Sequence, residues 1–543
     1  MATGVEPVGA ALAVVGLIAA FNGAIDGYLL IESFFDDDDG GGYLTLRYHI
    51  EKHKLLIWGD FFRTSDPASC ALASQPEVVK RLVLRILGEI KRTHEQAEPF
   101  IKKHNLVLPP VAAGDLDKGM AADSQMAKDM AKLALSRSPR SRVSWVIKRK
   151  DKFAELVLHL QQLNRDLYDV LQPADVDLLQ RTLSSYVLAK IKGTGYVKML
   201  QDPAMQSPRL LALSAQLMGL EQSAASTVKQ AVTVIGSNQL ALKDAGGWTT
   251  GIYTHPTGIR HPVWIEWNIL DPEALSYQTL RDRAESLAVM LETVNEPALH
   301  IPPCCGIFED SAFRAANRKT RLGTVLTVPK DSGYEGNFGK LPPTNLKELI
   351  RATRAKPPLL GDRFRLAYEL ASGFSLFHAA GWLHKGFRSE NIVFLHRDEG
   401  RGIDVAQPLV TGFQASRSRT TESVKLNADE DPEVEYYYHE DARGGFTKKL
   451  DLYGLGVVLC EVGRWEVLAD AVPSEKKPKL KSRSWARKLI INDPLEDLGW
   501  RMGSRFRSVV RTLLLLELPN DSDDFFAHEF FTKVIMPLEM CTA

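Results

Sequence analysis

The first charged-residue gap does most to limit how this chain can fold. From Pro7 to Ile25 there is no charged side chain, and no Lys or Arg precedes Arg47. Read at helical periodicity, Gly9, Ala13, Gly16, Ala20, Gly23 and Gly27 form a small stripe. Val14, Ile18, Phe21, Ile25 and Tyr28 form a bulky one roughly opposite. A helix that is apolar all round must be buried in a bundle or immersed in lipid. Nineteen such residues rise roughly 28 Å, close to a bilayer's hydrocarbon thickness of about 30 Å. The Ala and Gly content makes insertion only marginally favourable, so the segment suits two states, packed or inserted, better than a permanent anchor. A secretory signal needs a positive region before its apolar stretch, and Glu6 stands there instead.

At 543 residues the chain exceeds one ordinary core. Its formal net charge of zero offers no basic field for nucleic acid. Cys70, Cys304, Cys305, Cys460 and Cys541 have no metal-site or disulfide spacing, which points to a reducing, cytoplasmic setting.

Helical periodicity dominates up to about residue 200, in Tyr43–Trp58, Glu77–Phe100, Val143–Leu171 and Val176–Lys192, with Pro and Gly in the joints. An all-α bundle over 1–220 is expected, then a connector over 221–244. From 245 to 543 Gly-rich turns and runs such as His261–Ile269 predict strands, and helices resume at Leu346. The expected fold of that half is α+β and bilobal.

Residues His384 to Asn391 read HKGFRSEN. This resembles the protein-kinase catalytic loop H-R-D-L-x-x-x-N, in which Asp is the base and Asn holds metal. The resemblance extends over about 245–535. Asn391–Leu395 and Gln407–Phe413 look like the strands that follow the loop, and Gly412-Phe413-Gln414 lies at the D-F-G place. Asp451–Leu459 looks like the helix that anchors the large lobe, with Asp451 bonding the loop backbone. Val263–Asn268 looks like the V-A-I-K strand. Against that family, His384, Asn391 and Phe413 are kept, while Gly386 replaces the base and Gly412 the metal ligand. The strand has no phosphate-binding Lys, and no G-x-G-x-x-G precedes it. The resemblance therefore implies a kinase-like fold without phosphotransfer, cofactor or metal. Between Gly412 and Asp451, Ser416, Ser418, Thr420 and Thr421 interleave with Arg417 and Arg419 as candidate phosphorylation sites.

The start Glu6–Leu17, the acidic run Asp36–Asp39, and Leu44-x-Leu-Arg with Leu55-x-x-Trp58-Gly59 resemble the fungal HeLo domain of the HET-S class of cell-death proteins. In that family the first helix becomes membrane-active. The resemblance implies that role for the helix around Val8, Gly9, Leu12, Gly16, Ile18, Phe21, Gly23 and Ile25. A HeLo-like bundle joined to a kinase-like half is also similar in architecture to mixed-lineage kinase domain-like proteins. HET-S-type proteins carry an amyloid-forming tail, whereas this sequence continues into helical residues such as Phe525–Val534, so their activation route does not transfer.

The function expected is a cytoplasmic cell-death or heterokaryon-incompatibility effector that oligomerises and permeabilises the plasma membrane. Its expected partners are membrane lipids, further copies of itself and an upstream activator, with no nucleic acid. One alternative is a non-lytic scaffold assembled through the bundle. Another is an atypical active kinase, for which Glu390 is the only carboxylate near Gly386.

Overall fold

A computed structural model describes residues 6–32, 42–96, 150–190, 194–224, 232–245, 247–270, 272, 277–293, 296–330, 338, 340–397, 402–413, 417–418, 432–471, 483–520 and 525–543. They divide into two compact units, Met1–Ala212 and Leu213–Ala543.

The first unit is all helix among its described residues. It contains α1 (Glu6–Glu32), α2 (Tyr43–Phe62), α3 (Glu77–Glu95), α4 (Lys150–Tyr168), α5 (Pro173–Lys190) and α6 (Thr194–Gln201). The ends follow local chemistry. Pro173 opens α5, where its missing N–H costs nothing, with Asp175 in the first turn and Lys190 in the last. At the end of α2, Arg63 takes a left-handed conformation and its N–H returns to the carbonyls of Asp60 and Gly59. Tyr28, Tyr48, Leu55, Trp58, Leu87 and Leu160 form a common, fully buried core.

The second unit begins within α7 (Arg209–Ala224). Residues 213–220, assigned from sequence to the bundle, belong here because the Trp382 indole N–H donates to the Leu217 carbonyl at 3.1 Å. The expected connector also shrinks. Val234 bridges Ile307, and β1 (Leu240–Ala245) pairs along its length with β2 (Trp248–Thr254). The sheet continues through β3 (Arg260–Leu270) to β5 (Thr320–Thr327) and β4 (Cys304–Glu309), all antiparallel, in the order β1-β2-β3-β5-β4.

Between β3 and β4 lies α8 (Tyr277–Thr293), a helix missed in the sequence reading. Its signal was present in Leu280, Ala284, Leu287, Ala288 and Leu291, which share one helical face. After β4 comes the short α9 (Ser311–Asn317), capped by the Asp310 carboxylate on the Phe313 N–H. Helices then dominate. They include α10 (Leu346–Thr353), α11 (Leu360–Ala379), α12 (Lys448–Arg464), α13 (Leu468–Ala471), α14 (Arg483–Asn492) and α15 (Pro494–Leu514), the last bent at Gly503, whose φ is 83°.

Candidate functional site

Each unit carries its own candidate site. In the first it is α1 and the seat that holds it. Val14, Leu17, Phe21, Ile25 and Tyr28 are buried in the core, and Ile18 is half-buried. The Phe21 ring lies 6.4 Å from that of Trp58 and presses on Gly59, where a Cβ would come within 2.1 Å of Phe21 Cζ. The small stripe is split. A Cβ at Gly27 would lie 2.6 Å from His94 Cγ, and one at Gly23 would lie 3.1 Å from Lys91 Cδ, so these two glycines form a close seam with α3. A Cβ at Gly16 would meet no other described residue within 4 Å. Val15, Gly16, Ala19 and Asn22 are exposed. Val8, Gly9 and Leu12 lie in α1, but their side chains are outside the description.

Polar contacts fix the carboxyl-terminal half of α1. His94 on α3 is buried, with Nδ1 2.8 Å from the Ile90 carbonyl and Nε2 3.0 Å from the Tyr48 hydroxyl. Tyr48 Oη also reaches the Tyr28 carbonyl of α1 at 3.2 Å. Asn164 on α4 donates to Glu51 Oε2 at 2.9 Å and to the Tyr28 hydroxyl at 3.4 Å. At the end of the helix Glu32 pairs with Lys52, and with His49 at 3.2 Å. Burial pushes His94 down to about 4, only partly offset by the Ile90 carbonyl. His53 on α2 is pushed down to about 3, first by burial and then by the charge of Lys52.

In the second unit, HKGFRSEN follows the short strand β7 (Trp382–Leu383) and leads into β8 (Ile392–Phe394), which pairs with β6 (Thr344–Asn345) on one side and β9 (Leu409–Val410) on the other. Asp451, at the start of α12, accepts the His384 N–H and the Lys385 N–H, each at 2.8 Å. His384 is buried; its Nε2–H donates to the Thr411 carbonyl at 2.8 Å, and its Nδ1 accepts the Gly386 N–H at 3.3 Å. Those two partners fix the neutral tautomer, and burial holds its pKa below the usual histidine range. Phe413 packs 4.8 Å from the His384 ring.

Asn391 turns inward and donates to the Gly386 carbonyl at 2.6 Å. Gly412 has a φ of 75°, and a Cβ there would come within 2.2 Å of Asn391 Cγ. The Asn391 amide thus occupies the space that a side chain at 412 would need. Glu266 on β3 accepts the Gly412 N–H on both oxygens at 3.1 Å. Burial raises its pKa and that hydrogen bond opposes the rise. From sequence alone this strand is distinguished only by its lack of a lysine. The carboxylate in its place, on the third strand, was the signal for this contact. Glu390, the one alternative base, pairs with Lys347 at 2.6 Å and with Arg388 at 2.8 Å.

Ser416, Thr420 and Thr421 lie outside the described residues. Arg417–Ser418 pairs antiparallel with β7, Arg417 opposite Leu383, which brings that part of the segment beside the strand leading to His384. Among the described residues, no group of three or more His, Cys, Asp or Glu could hold a metal ion.

The family model for HeLo, described as prion-inhibition and propagation, matches residues 9–200, a span that begins inside α1 and ends in α6. The amino-terminal region is therefore a HeLo-type domain, and that family suggests a prion-inhibition or cell-death type of function. No curated protein matches the chain.

Proposed function

We propose that this chain is a cell-death effector whose HeLo-type bundle permeabilises membranes when α1 leaves its seat, under the control of a kinase-like unit that has lost phosphotransfer. The observation that carries this reading is the outer face of α1. A surface helix of a soluble bundle ordinarily turns charge to water. Here Val15, Gly16, Ala19 and Asn22 face outward, and Val15 is 55% exposed. The stretch Val14–Glu32 is also long and apolar enough to cross a bilayer. The helix thus keeps one face in the protein and another already suited to lipid.

Three positions support the loss of catalysis in the second unit. Where the kinase template has a base, a metal acid and a phosphate-binding lysine, this chain has Gly386, Gly412 and Glu266. Phosphoryl transfer depends on positioning and on neutralising developing negative charge. Glu266 adds negative charge at the lysine's place, and Asn391 is committed to the Gly386 carbonyl. Control of the bundle would then come from binding or modification rather than turnover.

The test is dye release from anionic vesicles by the full chain and by fragment 1–220, with helicity of the fragment checked by circular dichroism. Leakage from the fragment alone is the expected outcome. A folded fragment that leaves vesicles intact would replace this reading with a non-lytic scaffold.

A further inference from the structure

If α1 must leave its seat, then whatever the seat excludes from water becomes part of the trigger, and one ionisable ring lies directly beneath the helix. Gly27 rests on the His94 ring with no room for a methyl group, and the Tyr28 ring is 4.5 Å away. We propose that His94 is a proton-operated latch, so that acidification favours the state in which α1 has left the bundle. This rests on the membrane reading above, and it adds the signal that would release the helix.

Nδ1–H donates to the Ile90 carbonyl, and Nε2 faces the Tyr48 hydroxyl, whose single proton is shared between that nitrogen at 3.0 Å and the Tyr28 carbonyl at 3.2 Å. A second proton on Nε2 would put a full charge in the buried core. None of the described groups around the ring forms an ion pair with it. From α1 come Tyr28 and Glu32, the latter held by Lys52 and His49. From α2 come Tyr48, His49, Lys52, His53 and Glu51, and Glu51 is held by Lys54 at 2.8 Å and by Asn164. On α3 itself, Lys91 pairs with Glu95 at 3.7 Å. From α4, His159 reaches only the neighbouring Thr93, at 3.4 Å. No carboxylate among the described residues hydrogen-bonds His94.

The direction follows from linkage. The seated state binds a proton near pH 4, whereas a released, hydrated His94 binds one near its ordinary value of about 6.5. The seat is therefore unaffected above about pH 6.5 and weakens as pH falls toward 4. Between pH 7.5 and pH 5 the opening equilibrium of α1 should rise roughly 30-fold through this one ring.

Hydrogen exchange of the α1 amides in the full-length protein, at pH 7.5 and pH 5.0, tests this directly. Comparing wild type with H94Q at each pH cancels the intrinsic pH dependence of exchange. The expected result is a wild-type opening that gains roughly 30-fold over H94Q across the interval. H94F, an aromatic ring that cannot titrate, should behave like H94Q and guards against a folding defect specific to the amide. Parallel changes in wild type and both variants would overturn the latch. Dye release from phosphatidylcholine–phosphatidylserine vesicles at the same two pH values separates the two ideas. Release of α1 without leakage removes the membrane reading and keeps the latch. Leakage that ignores the His94 substitutions does the reverse.

Discussion

Gly412 illustrates how a single position can be closed to any side chain. Its side-chain space is filled by the Asn391 amide, its backbone is left-handed, and its N–H is bound by Glu266. Restoring the acid with G412D would meet three obstacles: displacement of Asn391, a strained φ, and a second carboxylate beside Glu266. Strain in the left-handed region alone costs about 1 kcal/mol or more. G412D should lower the melting temperature by several degrees and show no stabilisation by Mg²⁺, as thermal melts with and without the ion would report. A gain of stability with Mg²⁺ would mean that the metal site is easier to rebuild than this geometry allows. His384 and Asp451 are committed in a different way. They keep backbone-organising bonds that serve the fold whether or not any substrate binds.

At the scale of the element, α1 is one helix with two environments, and glycine substitutions should separate them. G16E places a carboxylate where nothing lies within 4 Å, so the fold should tolerate it within about 0.5 kcal/mol. It should nevertheless abolish vesicle leakage, because a charge at mid-helix opposes insertion. G27E drives a side chain into the His94 ring and should lower the stability of the bundle by more than about 2 kcal/mol. Denaturant melts alongside leakage assays would distinguish the two. If G16E leaked like wild type, the exposed face would not be the one that enters lipid.

Much of this was legible in the sequence, but unevenly. The periodicity of α1 separated a bulky from a small stripe, because side chains three and four apart share a face. It could not say that Gly23 and Gly27 meet α3 while Gly16 meets water, since a partner helix leaves no mark on the glycines themselves. The order of landmarks around His384 was readable because short motifs bring their own spacing. The Glu266–Gly412 contact was not, as it joins residues 146 positions apart. The start of the sheet was placed too late because Leu240–Ala245 (LALKDA) alternates weakly and follows polar residues.

Across the whole molecule, the two units should answer acid in opposite senses. In the second unit, Glu461 is fully buried, accepts from the Tyr437 hydroxyl at 2.9 Å and the Leu468 N–H at 3.0 Å, and is pushed by burial up to about 7. A carboxyl that holds its proton more tightly when folded stabilises below its unfolded value of about 4.5, and that stability is lost as pH rises through 7. The effect is at most roughly 3 kcal/mol. Calorimetry should therefore show the second unit melting higher at pH 5 than at pH 8, with E461Q flattening the difference. The first unit should shift the other way, because of its depressed histidines. A common shift of both transitions would rule out these two groups as the dominant titrating sites.

The uneven seating of α1 also sets an order of events. The amino-terminal half touches water at Val15, Gly16 and Ala19, while the carboxyl-terminal half is pinned at Gly27, Tyr28 and Glu32. Departure should begin as fraying from the free end, two or three turns at a time, like a tape lifted by its corner. The part that comes loose has no charged residue between Pro7 and Ile25. A half-peeled helix could therefore test a nearby bilayer many times and lie down again before its polar rivets give way, so commitment to the membrane would be decided by the last turns to let go rather than the first.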